Sequence, residues 1–177
     1  MVPVFDRRKL RPLILALKYI LHSNWLSEVY YGGIGSYAIT LMVVSFIQMR
    51  KRAHASLNLG DLFLGFLQLY GFEFNYELTG ISLRNGGSYF PKKRHDWFDP
   101  RKPYLLAIED PDNPGLLHDF FKGCAVFLIA ITPLTENDVG KGSFNILSVR
   151  MLFGQLFNVL TQTRGTLAPL SSVVFVH

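Results

Sequence analysis

Leu10, Leu13, Ile14, Leu17, Ile20 and Leu21 recur at three- and four-residue spacing, the period of a helix with one apolar face. The spacing predicts a helix over about Leu10 to His22, with Pro12 tolerable only in its first turn. A second helix is expected from Ser36, directly after the turn Gly32 to Gly35, through Ala38, Leu41, Met42, Ser45 and Phe46. The basic triplet Arg50, Lys51, Arg52 suits its C-terminus. A third runs from Asn58 as N-cap to about Tyr70, with Gly71 as its stop. In a last helix, over about Phe144 to Leu160, Ile146, Val149, Leu152, Phe153, Leu156 and Phe157 share a face. The helical period breaks in ISLRNGGSYF, where short apolar-rich segments flank Asn85-Gly86, a hairpin signal. Pro91 to Pro103, basic and Pro-containing, reads as loop, and Tyr104 to Asp110 as a strand. No internal repeat is visible, and Thr161 to His177 shows neither period clearly. The fold class is mostly α with a small β element (α+β).

A chain of 177 residues, 49% hydrophobic, can fill one domain's core, which excludes disorder of the whole. Only 18% of residues are charged and the mean hydropathy is +0.22, less polar surface than a free-standing domain of this size usually needs. Part of the surface is therefore expected to face something else. The formal charge of +5 comes from clusters at Arg7, Arg8, Lys9 and Arg11, at Arg50 to Arg52, and at Lys92, Lys93 and Arg94. They are either solvated helix ends and loops or a footprint for a polyanion. The single cysteine, Cys124, excludes an internal disulfide, and no Cys/His cluster has zinc-like spacing. The N-terminus reads as no signal peptide, and the run Ala125 to Ile131 is far shorter than the ~20 residues of a spanning helix.

Three places carry chemistry. GGIGSY leads flexible backbone into a helix N-terminus, where free N–H groups and the dipole favour an anion; equally, Ser36 is an N-cap and the glycines a tight turn. Lys18, on a Leu- and Ile-rich helix, either reaches a phosphate as a point charge or belongs to the solvated stripe. Tyr37 either stacks on a nucleobase beside that anion site or packs into the core.

Together these stretches resemble a known family. LRPLILALKYILHSNWLSEVYYGGIGSYAITLMVVSFIQM, NLGDLFLGFLQLYGFEFNYELTGISLRNGGSYF, YLLAIEDPDNP and ENDVGKGSFNI, in that order, are similar to the central, PAP-associated domain of nuclear RNA-surveillance (TRAMP-type) poly(A) polymerases. These belong to the polymerase-beta-like nucleotidyltransferases. The resemblance implies a helical central domain over 8–162, with 163–177 a divergent tail, and a nucleotide held in a cleft against a catalytic palm domain. It implies that Lys18 touches the triphosphate, Ser36 the phosphate end and Tyr37 the base, and that Asp110 and Asn137 close the two ends of the base-reading loop. Lys141 stands where Arg is common, and His22 where some relatives place a second phosphate-binding lysine. ATP and RNA 3′ ends are the implied ligands. A zinc-knuckle RNA-binding protein and an RNA helicase of the surveillance complex are the implied partners, the nucleus is the implied location, and no membrane is involved.

Removing Gly115 to Thr135 closes the text to IEDPDNPENDVGKGSF, the uninterrupted form of that loop, so the apolar run within it reads as an insertion. A lineage-specific insert and a translated intron are both open, the lack of loop chemistry in the apolar run favouring the second. The family's chemistry needs a Gly-Ser turn and three carboxylates that hold two Mg²⁺ ions, all on the palm. Glu109, Asp110 and Asp112 lie in a Pro-broken turn and do not replace them. Two expectations follow: the nucleotide-recognition half of an RNA 3′-adenylyltransferase, inactive alone, or a non-catalytic module that holds RNA or a protein.

Overall fold

A computed structural model describes residues 7–51, 58–109 and 138–162. Helix α1 (Arg7–Ser23) buries Leu10, Leu13, Ile14, Leu17 and Leu21, the predicted stripe, against α2 (Ser36–Lys51). It begins earlier than the apolar spacing indicates, so Pro12 lies in its second turn, where the missing N–H removes one bond of the ladder. Helix α2 has no polar face over its middle. Every residue from Ala38 to Phe46 is buried, because other elements cover it all round.

Helix α3 (Leu59–Gln68) is capped as expected, with Asn58 Oδ1 accepting from the Asp61 N–H at 2.9 Å. It does not stop at Gly71. It widens into a π-helical turn, Leu69–Glu73, and ends only at Phe74. Gly71 is there for proximity: a Cβ on it would lie 2.7 Å from the Gly154 nitrogen, in helix α4 (Ile146–Gln162). Strands β1 (Thr79–Ser82) and β2 (Ser88–Pro91) pair antiparallel, with Thr79 opposite Pro91 and Ser82 opposite Ser88. The connection turns at Asn85, Gly86 and Gly87, all at positive φ, as the Asn-Gly signal requires. The expected strand over Tyr104 to Asp110 is reduced to bridges. Ile108 pairs with Ile81 and Glu109 with Asp138, and no regular ladder runs along the rest of the described stretch.

An aromatic chain joins these elements. The Phe66 ring lies 5.6 Å from Phe46 of α2, 4.6 Å from Tyr70 and 5.6 Å from Phe153 of α4, and Phe74 continues the chain to Tyr76 and Tyr89. Two buried hydroxyls are satisfied by backbone, Tyr70 donating to the Met42 carbonyl and Tyr76 to that of Tyr70. Burial pushes all three tyrosines, Tyr70, Tyr76 and Tyr89, above their ordinary pKa. The architecture is mostly α with one two-stranded sheet, as expected. No helix of the described residues is long and apolar enough to cross a membrane.

Candidate functional site

The Gly-rich turn is built from backbone closure. Helix α1 ends with Leu26 N–H donating to the Leu21 carbonyl and Trp25 N–H to that of His22, while Trp25 takes the left-handed φ of 58° that glycine usually supplies. Val29–Tyr31 forms a short 3₁₀ turn, after which Gly32 (φ 79°) and Gly33 donate back to Val29 and Glu28. A Cβ at Gly33 would strike the Leu26 carbonyl oxygen at 2.3 Å, so the tight return to Ile34 requires glycine. Ser36 then opens α2, exposed, with no acidic side chain in the helix's first turn to neutralise its positive end. Tyr37 is half-buried and packs against the core. Lys18 is half-buried on α1, the helix packed along α2, and His22 is exposed one turn on, its Nδ1 3.5 Å from Ser27 Oγ.

The second part of the site is a pinned stem. The incoming chain donates Ile108 N–H to Asp138 Oδ1 at 2.8 Å, and the same oxygen accepts from Gly140 N–H at 2.8 Å. Ser143 Oγ accepts from Leu106 N–H at 2.9 Å and donates to the Gly140 carbonyl at 2.6 Å. Val139 N–H reaches the Ile108 carbonyl at 3.0 Å, and Glu109 both bridges to Asp138 and pairs its carboxylate with Arg84 at 3.3 Å. Gly140 is again obligatory, since a Cβ would lie 1.9 Å from the Leu106 carbonyl oxygen. Asp110 and Asn137, the expected base readers at the two ends of the loop, lie outside the described residues, as do the insertion 115–135 and the tail. The residues next to them, Glu109 and Asp138, are bridge partners.

Lys92 corrects the reading of the basic cluster Lys92, Lys93, Arg94 as solvated or polyanion-facing. Its side chain is 1% exposed, and its ammonium donates to the carbonyls of Tyr76, Pro103 and Leu105. It thereby ties the hairpin to the segment that enters the stem. Burial lowers its pKa to about 8, with Asp138 and Glu77 acting in the opposite direction. Burial raises the Asp138 carboxyl above its ordinary value, and the two amides and the charges of Lys92 and Lys141 offset part of this. Asp138 and Ser143 were absent from the sequence reading, and Lys92 entered it only as one member of a basic cluster. The only local trace of the first two is their place in NDVGKGS, where polar residues and glycines resemble any turn.

The two parts meet. Asn145 N–H donates to the Gly32 carbonyl at 2.9 Å, and the Phe144 ring lies on Gly32, so close that a Cβ there would sit 2.4 Å from its Cδ2. Val29 wedges between Gly35 and Gly142, within 2.9 Å and 2.6 Å of where their Cβ atoms would be. The exit of the stem is thus fastened onto the turn that leads to Ser36 and Tyr37. Among the described residues, no group of three or more His, Cys, Asp or Glu is placed to hold a metal ion.

Residues 58–116, which run from the cap of α3 through the hairpin into the stem, match the family model of the Cid1 family poly A polymerases. The chain is 40% identical over 164 residues to poly(A) RNA polymerase cid14 of Schizosaccharomyces pombe, which is 90% of this chain and 21% of that protein. It spans about a fifth of the length of the curated relative. Among solved structures, it superposes on the polymerase core of TRAMP, an RNA surveillance complex, with a TM-score of 0.71 and 30% identity over 96% of this chain and 49% of that one. The Cid1 poly(U) polymerase with Mg 3′-dATP bound shares the fold, with a TM-score of 0.71 at 20% identity over 94% of this chain and 56% of that one. The fold and these similarities identify the chain as carrying a PAP-associated domain, similar to that of the TRAMP polymerase core and of the poly(A) RNA polymerases, among the polymerase-beta-like nucleotidyltransferases.

Proposed function

We propose that this chain is the nucleotide-recognition half of a template-independent RNA 3′-adenylyltransferase that works with a catalytic palm domain in nuclear RNA surveillance and 3′-end processing. The observation that supports the reading is the junction of Gly32 with Phe144 and Asn145, which fastens the turn leading to Ser36 and Tyr37 onto the exit of the stem. In this reading the positive end of α2 and the Ser36 hydroxyl receive phosphate oxygens, and Lys18 adds a point charge. The accessible part of the Tyr37 ring stacks on the base, and Asp110 and Asn137, continuing from the pinned stem, read its edge. Mg²⁺ would be held by the palm's carboxylates, where it activates the RNA 3′-hydroxyl and stabilises the leaving pyrophosphate. The residues of this chain bind and orient the nucleotide. ATP is the favoured nucleotide, because the fission-yeast relative is named a poly(A) RNA polymerase and Asn137 is the residue type expected of adenylating members. An RNA helicase and a zinc-knuckle RNA-binding protein are the partners that this role suggests.

The test joins the chain, with Gly115–Thr135 removed, to the palm domain of the fission-yeast relative and offers a labelled RNA with each nucleoside triphosphate. Adenylate tails from the joined protein and no tailing by this chain alone are expected. Preferential use of UTP, or tailing by the chain without a palm, overturns the reading.

A further inference from the structure

We propose that Tyr30, Tyr31 and Phe144, with Lys102 and Lys141, form a platform on which single-stranded RNA stacks beside the nucleotide site. The neighbouring nucleotide site is the one proposed above; the platform has observations of its own. Tyr30 is 86% exposed, Tyr31 67% and Phe144 57%, so none of the three rings owes its place to burial in the core. The turn that carries the tyrosines is closed by backbone bonds, Tyr31 N–H to Glu28 and Gly32 N–H to Val29, and is wedged in position by Val29. The two tyrosine rings meet edge to face at 5.2 Å, and the Phe144 ring lies on the next residue, Gly32.

Cations flank it. Lys102 Nζ lies 5.9 Å from the centre of the Phe144 ring, and Lys141, three residues before Phe144, is exposed. The acid on the same turn, Glu28, accepts a hydrogen bond from Ser27 Oγ at 3.4 Å. Exposed rings interleaved with lysines suit a strand that presents bases and phosphates in alternation. The centre of a protein interface, by contrast, is depleted of lysine. The chain's formal charge of +5 points the same way.

The test uses the full chain without nucleotide and a fluorescein-labelled oligoadenylate of about a dozen nucleotides, within the site sizes such platforms cover. Fluorescence anisotropy is expected to report binding that weakens between about 5- and 150-fold in Tyr30→Ala or Tyr31→Ala, the range for loss of one stacked base. Tyr30→Phe retains it, and Lys102→Gln lowers the slope of affinity against salt. Thermal melts confirm that the exposed substitutions leave the fold unchanged. No RNA binding by the wild-type chain overturns the proposal. So does equal binding by the alanine variants, which would reduce the contact to charge. Loss of palm-domain association in those variants with RNA binding intact also overturns it, making the face a protein interface. Because ATP is absent, failure here leaves the nucleotide-site reading standing, and failure of ATP selection leaves this one standing.

Discussion

Replacing Lys92 with Met keeps the length and apolar stem of a side chain that is 1% exposed and removes its ammonium. Three carbonyls then lose a donor: that of Tyr76, buried, and those of Pro103 and Leu105, half-buried. A buried polar group left unpaired costs about 1–3 kcal/mol. With the low end for the two half-buried carbonyls and some return from burying a thioether in place of a charge, Lys92→Met should lose about 3 kcal/mol at pH 7. At the ~2–4 °C per kcal/mol of a domain this size, the melting point falls by about 6–12 °C. The pH dependence supplies an independent check. The folded pKa of about 8 lies below the ordinary lysine value of 10.5, so between those values the unfolded chain binds more protons and stability rises with pH. The wild type should therefore gain up to about 2 kcal/mol between pH 7 and 9.5 from this group, and the variant should lack that gain. Buried tyrosines act in the opposite sense only near and above pH 10, and they are common to both proteins. Urea unfolding of both chains at the two pH values measures both effects. A variant as stable as the wild type at pH 7, with the same pH slope, would refute the role assigned to the buried ammonium.

Asp138→Ala strips the shared acceptor from the Ile108 and Gly140 amides and should cost about 2–3 kcal/mol, while Asp138→Asn, which keeps an acceptor oxygen, should cost under about 1 kcal/mol. Faster hydrogen exchange at those two amides in the alanine variant alone is the expected signature. Gly71→Ala introduces a methyl 2.7 Å from the Gly154 nitrogen and should destabilise by more than the ~1 kcal/mol that alanine returns over glycine in a helix, read as a lower melting point. Removal of Gly115–Thr135 should leave the stem in place, since shortening a loop changes closure entropy by only about 0.6 kcal/mol per halving. In a protein joined to a palm, calorimetry is expected to find ATP bound by the shortened form and not by the inserted one, whose apolar run needs a surface to bury against. Equal affinity would make the insertion a harmless excursion.

Helices α1, α3 and α4 were readable because each has a buried side that repeats locally. Leu10 to Leu21, the Asn58 cap and the Asn85-Gly86 turn are all signals within a few residues of one another, and all three lie where the spacing put them. Gly71 misled because a glycine at a helix end and a glycine at a helix crossing look alike, and the partner that decides, Gly154, is remote in sequence. The segment before Asp110 has strand-like composition, but its neighbours, Ile81 and Asp138, offer it one bridge each. The roles of Lys92 and Asp138 could not be read. Each works through backbone groups, and a carbonyl or amide has no sequence identity to search for. The helix start at Ser36 was legible because a Gly-rich turn before a helix marks its own N-terminus, whereas the fastening of that turn, at Gly32, to Phe144 and Asn145 emerged only from the fold.

The central claim is that this domain binds the nucleotide through Tyr37 and the start of α2. Calorimetric titration of ATP into the shortened chain joined to a palm domain, in wild-type, Tyr37→Ala and Lys18→Ala forms, tests it most directly. The account predicts measurable binding by the wild type, a loss of roughly 1–3 kcal/mol in Tyr37→Ala as a stacked ring is removed, and weaker binding in Lys18→Ala that the adenosine moiety alone does not reproduce. ATP affinity unchanged in both variants, or no binding by the wild type, would contradict it.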